Sequence, residues 1–488
     1  MENKDRGMSA GHLTMMALGS VIGGSFFLGT SVAMNAAGPS ILLSFIFAGI
    51  LVYFILFALS EMTVANPYGG SFSTFAAEEL GEGTGFVVGW VYWTGTIFSM
   101  SSEATAIPIL LGQWIPNLPI GLIGTFLIVG VTLLNLLGSH WLSRLESGLS
   151  SIKLIAIVFF IILGIVLIVG IIPGTRPIGA GELVHEPLMP GGLKGIAGSM
   201  LIVMFAYAGF EIIGLAASEV KNPQKTIPKA IAYTVLSLVG LYILYAAVLL
   251  PLVPTAALSD NMSPMVMSLN RRGILWAGTA LNGVLISASL SAMLAAVFGL
   301  GRMIRSLSDE RHAPKWLRDK TEVPYRGILF SGMAMLLGLG FGHLFPRVYL
   351  VLITSGGFAL LFTYAVIMAC HIRFRTKKGC PPHGKCQMPG FPYTSWFALI
   401  SMILVFISMP FIPGQSAGLV TGIVMVIIYS LIYLGMRIFR TQISEKSVLK
   451  KRGLAIDRHY QRNFSTEFSE ELATEIHGKS KCDHEKER

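Results

Sequence analysis

The stretch LGSVIGGSFFLG, residues 18–29, places three glycines within six residues inside a long apolar run. Because glycine loses the most backbone freedom when a helix forms, this stretch resists a continuous helix. Small residues also let membrane helices pack closely, so taken alone the stretch fits close packing and helix unwinding equally well. A second interrupted run later in the chain favours unwinding.

That second run, VMFAYAGFE at residues 203–211, combines a glycine with aromatic residues and places Glu211 in an otherwise apolar segment. A carboxylate in hydrocarbon is costly and therefore indicates a function. The first stretch opens the first five long apolar runs of the chain, and the second opens the next five. Interrupted helices at corresponding positions of two halves indicate an inverted-repeat transporter with its site near the membrane midplane.

Composition identifies the lipid bilayer as the main solvent. Of the 488 residues, 53% are hydrophobic and 13% are charged, and the mean hydropathy is +0.68, whereas soluble domains carry about 25% charged residues. A helix crosses the bilayer with about 20 mostly apolar residues. We predict an all-α polytopic membrane protein with twelve transmembrane helices, at residues 10–36, 39–64, 84–112, 119–138, 149–172, 195–217, 229–252, 273–306, 326–344, 347–371, 393–412 and 416–437.

The distribution of lysine and arginine predicts the orientation. Cytoplasmic loops hold an excess of positive charge, and the densest basic loop, residues 302–326, falls on the same side as residues 1–9 and the tail after residue 437. We therefore expect a multi-pass protein of the cell membrane with both termini in the cytoplasm. The tail, residues 438–488, is poor in apolar residues and is predicted to be mostly disordered.

Charge and short motifs exclude several classes of function. The net charge of +10 is spread over short loops beside the membrane, which favours attraction to membrane lipids over binding of nucleic acid. The segment CPPHGKC, residues 380–386, lacks a fourth metal ligand, and cysteines at the cytoplasmic edge are not expected to form disulfides. The sequence has no phosphate loop or nucleotide fingerprint, so no cofactor is expected and a gradient or exchange must supply the energy.

Several blocks of sequence resemble the amino acid/polyamine/organocation (APC) superfamily, and within it the bacterial amino acid transporter branch. Besides the two interrupted stretches, these blocks are SEM (60–62), NPYGGSF (66–72), GWVYW (89–93) and GFEIIGLAASEVKNPQKTIPKA (209–230). The resemblance implies a permease rather than an enzyme, with a leucine-transporter-like fold. Its first inverted repeat would span residues 10–172 and its second residues 195–371, and two further helices would follow at 393–437.

A broken helix frees backbone groups that suit the two charged ends of an amino acid. The unpaired amides and the helix dipole at the start of the outer half of helix 1 favour an anion. We predict that the substrate carboxylate binds there, at Gly23, Gly24 and Ser25. By motif position, the substrate ammonium would meet the carbonyls at the broken ends, which are those of Val21, Phe205 and Ala208.

Neighbouring side chains would select the substrate. Phe205 and Tyr207 are candidate lids, although packing between helices explains each of them equally well. The apolar residues around both breaks favour a bulky, uncharged amino acid. Glu103, inside helix 3, resembles an acidic position that contributes to substrate recognition in lysine-transporting relatives, so a lysine-like cation is the alternative substrate. Glu103 could also relay protons.

Lys153 is the candidate for proton coupling. It lies early in span 5, where a side chain that reaches the cytoplasmic boundary is the alternative explanation. The resemblance implies that a lysine at this motif position stands where sodium sits in sodium-coupled relatives, and a buried lysine can gain and release a proton. We therefore predict proton symport. Helix 8 offers a less favoured sodium site through three serines that otherwise pack the helix, Ser287, Ser289 and Ser291.

Three further acidic residues are predicted to gate or brace the structure. Glu61 ends helix 2 and Glu219 ends helix 6, so both are expected at the cytoplasmic mouth. Glu211 lies just past the second break, where it would cap freed amides. The amphipathic stretch 73–80 is predicted to lie along the cytoplasmic face as a gate element.

These assignments predict proton-coupled uptake of neutral or hydrophobic amino acids by alternating access. A lysine-like cationic permease or an amino acid exchanger is the alternative. A transporting receptor is less favoured, because the tail is the only extension of the chain that could signal.

Overall fold

The computed structural model describes residues 9–438 except residues 66–71, 138, 172–176, 212, 214–219, 221–222, 259–261, 320, 322, 346, 381–385 and 387. Within that part, it does not describe the side chains of residues 24–25, 139–147, 150 and 223–224. The described residues form an all-helical fold, as the sequence predicts. The chain divides into a large compact unit, Met1–Tyr429, and a C-terminal unit, Ser430–Arg488.

Except for two short helices, Phe72–Leu80 and Pro264–Arg271, the described helices overlap the predicted apolar runs. In chain order they are α1 (Ala10–Val21), α2 (Gly24–Ala37), α3 (Ile41–Ala65), α4 (Phe72–Leu80), α5 (Glu82–Leu111), α6 (Ile120–Asn135), α7 (Ser139–Val169), α8 (Gly192–Ala206), α9 (Pro223–Leu249), α10 (Pro264–Arg271), α11 (Leu275–Asp309), α12 (Tyr325–Gly342), α13 (Val348–Lys378), α14 (Tyr393–Ser408) and α15 (Ser416–Ile438). Among the described residues, eight helical segments are long and apolar enough to cross a membrane. The chain is therefore a multi-pass helical membrane protein, and the number of twelve spans stays a prediction.

The helix α7 has an exposed face and a buried face. Ile152, Ile155 and Ile162 have exposed fractions of 45%, 66% and 57%, whereas Lys153 is 1% exposed. Isoleucine is as apolar as a lipid tail, so the exposed face suits contact with the bilayer. Lys153 therefore lies on the side of α7 that faces the interior of the protein.

The short helix α4 is anchored at both ends. Thr74 Oγ1 donates a 2.7 Å hydrogen bond to Glu310, which follows α11, and Glu79 forms a 2.7 Å ion pair with Lys378 at the end of α13. Burial raises the pKa of Glu310, but hydrogen bonds from His312 and Thr74 outweigh that effect and hold the pKa below its usual value. The stretch predicted to be a gate element is thus a helix tied to the ends of two long helices.

The segment that follows α13 differs from the sequence-based expectation. Cys380 and Cys386 are joined by a disulfide, with their Cα atoms 5.1 Å apart, so the expectation that cysteines at this edge stay reduced is wrong for this pair. The compartment argument considers only the redox environment, whereas the distance between the two Cα atoms is within the range that a disulfide requires.

Candidate functional site

The first predicted helix break is present. The helix α1 ends at Val21 and α2 begins at Gly24, and the two residues between them are extended. Ile22 has φ −79° and ψ 97°, and Gly23 has φ −123° and ψ −176°. The Ile22 amide still donates to the Leu18 carbonyl at 3.2 Å. The interruption is therefore two residues long and lies inside the predicted first span.

The second predicted break is also present. The helix α8 ends at Ala206, and residues 207–211 form turns instead of continuing the helix. Gly209 has φ +105°, in the left-handed region that side chains other than glycine rarely adopt. The glycine of this stretch thus permits the backbone to leave the helix.

The two breaks lie against each other. A Cβ atom placed on Gly209 would lie 2.9 Å from the carbonyl oxygen of Ser20 and 3.0 Å from its hydroxyl oxygen. Ser20 belongs to the last turn of α1, directly before the first break. The two helix breaks are therefore far apart in the sequence but adjacent in the structure. A substrate site near the membrane midplane requires this arrangement.

Lys153 reaches this junction from α7. Its ammonium donates a 3.4 Å hydrogen bond to the carbonyl oxygen of Gly19, in the last turn of α1. A buried ammonium must be compensated by polar groups, and the end of a helix supplies carbonyls with partial negative charge. The geometry places a titratable cation beside the first break. Its role in coupling stays a prediction.

Glu211 joins the second break to two other helices. Its Oε2 accepts hydrogen bonds from the Gly209 amide at 2.9 Å and from the Tyr364 hydroxyl of α13 at 3.1 Å, and its Oε1 accepts one from the Tyr92 hydroxyl of α5 at 3.0 Å. Glu211 is 5% exposed. The Glu211 carboxylate thus caps the backbone amide of Gly209, which lies two residues before it in the chain.

We expect Glu211→Ala to destabilise the protein more than Glu211→Gln. The alanine variant leaves two buried tyrosine hydroxyls and one amide without their acceptor, and each such loss costs about 1–3 kcal/mol. Glutamine keeps one acceptor oxygen, and a tyrosine hydroxyl can accept from its amide group. The melting temperatures of the purified variants, compared with wild type in one detergent, test this order. A wild-type melting temperature for Glu211→Ala would contradict the bracing role.

Two tyrosines fix the region behind the second break. The Tyr242 hydroxyl donates to the carbonyl of Ala206, the last residue of α8, at 2.8 Å, and the Tyr207 hydroxyl donates to the Phe45 carbonyl at 3.0 Å. The ring of Tyr242 also stacks on Phe26, with ring centroids 4.4 Å apart. Tyr207 is fully buried, so in this structure it packs between helices, which is one of its two predicted roles.

The other predicted site residues lie in different surroundings. Val21 and Phe205 are buried at the two breaks, Ala208 is half-buried, and Glu103 is 3% exposed within α5. Ser287 donates to the Val284 carbonyl of its own helix at 2.7 Å, and Ser289 and Ser291 are buried. The side chain of Ser25 and all of Glu219 lie outside the described residues, and Gly24 is described only as the first residue of α2.

Glu61 lies in a buried polar cluster at the end of α3. It accepts hydrogen bonds from Arg375 at 3.1 Å and from the Met388 amide at 2.8 Å, and its Oε2 lies 2.8 Å from His371 Nε2. His371 and Arg375 belong to α13, and Met388 precedes α14. Glu61 therefore braces the end of α3 against α13 and against the segment that precedes α14.

Sequence reasoning missed three tyrosines that hold the breaks together: Tyr92, Tyr242 and Tyr364. Each belongs to an apolar span, where a tyrosine hydroxyl needs a partner. That requirement is the only signal for Tyr242 and Tyr364 in the sequence, because their partners lie far along the chain, whereas Tyr92 also belongs to the block GWVYW at residues 89–93.

Known proteins resemble this chain over most of its length. Residues 12–448 match the family model described as amino acid permease. An uncharacterized amino acid permease of Bacillus subtilis, YtnA, is 33% identical over 88% of this chain and 94% of its own length. The L-asparagine permease of Salmonella typhimurium is 32% identical over 84% of both chains. The gamma-aminobutyric acid permease of Bacillus subtilis is 30% identical over 85% of this chain and 91% of its own.

Proposed function

Since the chain belongs to the amino acid permease family, we propose that it is a secondary active carrier that takes up neutral amino acids together with protons. The observation that carries this proposal is the junction of the two breaks, where Lys153 lies beside the carbonyl of Gly19. The backbone amides and carbonyls at the ends of broken helices suit a zwitterion, and the Lys153 ammonium offers a group that can exchange a proton.

The proposal includes the arrangement of the chain in the membrane. Twelve spans would form two inverted repeats of five, with breaks in the first span of each repeat, and both termini would lie in the cytoplasm. The carboxylate of the substrate would bind at the amides of residues 23–25, and its ammonium at the carbonyls of Val21, Phe205 and Ala208. The half-helices on either side of each break could then tilt, which would expose the site to one side of the membrane at a time.

Two relatives support a substrate without net charge. L-asparagine and gamma-aminobutyric acid, which the names of those relatives give as substrates, each carry one ammonium and one carboxylate. The buried apolar side chains of Val21, Ile22 and Phe205 favour bulky members of this class. A lysine-like substrate is the alternative that the buried carboxylate of Glu103 supports.

Uptake of radiolabelled L-leucine by cells that lack related carriers, with each of the twenty amino acids as competitor, tests the substrate class. Neutral amino acids are expected to compete, and lysine and arginine are not. Absence of leucine uptake, together with uptake of radiolabelled L-lysine, would support the alternative. Accelerated uptake into vesicles preloaded with unlabelled leucine would distinguish a carrier from a channel, because only a carrier exchanges substrate across the membrane.

We expect Glu103→Gln to retain part of the uptake of neutral amino acids. The amide keeps the size and one acceptor oxygen of the carboxylate but removes its charge, which a neutral substrate does not need. Uptake of L-leucine and L-lysine by the variant, normalised to the amount of protein in the membrane, tests this expectation. Complete loss of leucine uptake by a folded variant would instead assign Glu103 to proton relay.

A further inference from the structure

A cavity of about 290 Å³ lies between the end of α3, the helix α4 and the end of α13. The cavity is remote from the helix breaks. Met62, which lines it, lies roughly 25 Å along α3 from Phe45. The carbonyl of Phe45 accepts the hydrogen bond from Tyr207, beside the second break. The volume of the cavity is at the lower limit for small-molecule pockets, which are about 300–1,000 Å³. We call it the α4 cavity. It can hold one small molecule and is too small for a peptide.

The walls of the α4 cavity are apolar on one side. Met62, Phe75 and Phe374 line it and are each at most 5% exposed. They come from α3, α4 and α13, so three elements contribute one apolar surface. Such a surface binds an aliphatic side chain.

The remaining wall carries charge of both signs. Glu78 and Glu79 come from α4, and Lys378 comes from α13. Glu79 and Lys378 form a 2.7 Å ion pair, in which the lysine side chain remains 55% exposed. Glu78 is exposed at the rim. Two carboxylates and one ammonium beside an apolar wall complement a ligand that has an ammonium, a carboxylate and an apolar side chain.

We propose that the α4 cavity is a second binding site for a neutral, apolar amino acid, open to the cytoplasm. The ligand's ammonium would bind Glu78, its carboxylate would bind Lys378, and its side chain would pack on Met62, Phe75 and Phe374. This inference rests on the proposed function for the class of ligand and on the proposed orientation for the side of the membrane. A bound ligand would bridge α3, α4 and α13.

Binding of radiolabelled L-leucine to the full chain in phosphatidylglycerol nanodiscs tests the site, because this membrane contains no zwitterionic lipid. Gly24→Val is used to block the site at the helix breaks, and about one leucine per chain is expected to remain bound. Adding Glu78→Gln, or Ala65→Leu to fill the cavity, should weaken that remaining binding at least about tenfold, the effect of losing one charge-assisted contact. Adding Glu82→Gln, an exposed glutamate outside the cavity, should leave it unchanged.

The outcomes separate this inference from the proposed function. If Gly24→Val binds no leucine, or if its bound leucine is unaffected by both cavity variants, the second site does not exist, and wild-type uptake still tests the carrier independently. If wild-type protein transports no amino acid while Gly24→Val binds leucine in a Glu78-dependent way, the proposed function fails and the cavity site stands.

Discussion

Lys153→Ala is expected to lose all accumulation of substrate driven by a pH gradient. For one proton carried with each zwitterion, a gradient of about 2 pH units can sustain about 100-fold accumulation, since each unit corresponds to about 1.4 kcal/mol. Without the titratable group, the inside-to-outside ratio is expected to fall to about one. Steady-state uptake of labelled leucine into proteoliposomes with an imposed pH gradient measures this ratio.

The physical reason lies in the position of Lys153. Its ammonium is 1% exposed and 3.4 Å from the Gly19 carbonyl, so its charge is stable only while polar groups compensate it. When the substrate leaves and the ammonium loses polar groups that compensate it, low dielectric would favour proton loss, and binding would reverse that change. Proton movement would thereby be tied to the transport cycle.

Two further variants control for loss of packing. Lys153→Met keeps the length of the side chain and is expected to behave like Lys153→Ala. Lys229→Ala removes an exposed lysine from the start of α9 and is expected to accumulate substrate as wild type does. Accumulation by Lys153→Ala against a proton-driven gradient would refute the coupling role, and the serines of α11 would become the better ion site.

Gly209→Ala is expected to lower the rate of uptake by about tenfold or more while the protein remains in the membrane. Its φ of +105° is strained for alanine, at about 1–3 kcal/mol. In addition, the new methyl group would lie 2.9 Å from the Ser20 carbonyl and would push the two breaks apart. Initial rates of uptake, normalised to membrane protein, test this prediction.

Gly240→Ala provides the matched control. Gly240 lies within α9, and a Cβ atom there meets no heavy atom within 4 Å. Alanine is the better helix former, so this variant is expected to transport normally. Wild-type rates for Gly209→Ala would show that the contact between the breaks does not matter for transport.

The sequence predicts the positions of both breaks because their causes are local. Gly209 has φ +105°, which glycine adopts far more readily than other residues. Gly23 has ordinary extended backbone, and the glycines of its stretch act by lowering the preference for a continuous helix. The side of α7 that Lys153 faces could not be predicted in this way. The run that follows Lys153 is apolar on every face, since both protein interior and lipid accept isoleucine, so no hydrophobic pattern distinguishes the buried face from the exposed one.

The polar contacts of the site could not be predicted for a different reason. Tyr92 and Tyr364 reach Glu211 from 119 and 153 residues away along the chain. Their pairing depends on how the helices assemble, which local patterns do not encode. The disulfide between Cys380 and Cys386 depends on the distance between the two residues in the folded chain, which the cellular compartment does not predict.

Uptake of labelled leucine into proteoliposomes, with a proton gradient and a sodium gradient imposed separately at a fixed membrane potential, tests proton-coupled amino acid transport most directly. An inward proton gradient is expected to drive accumulation of leucine above its external concentration, and sodium is expected to have no effect. Accumulation driven by a sodium gradient alone, or by neither gradient, would contradict the assignment of coupling to Lys153.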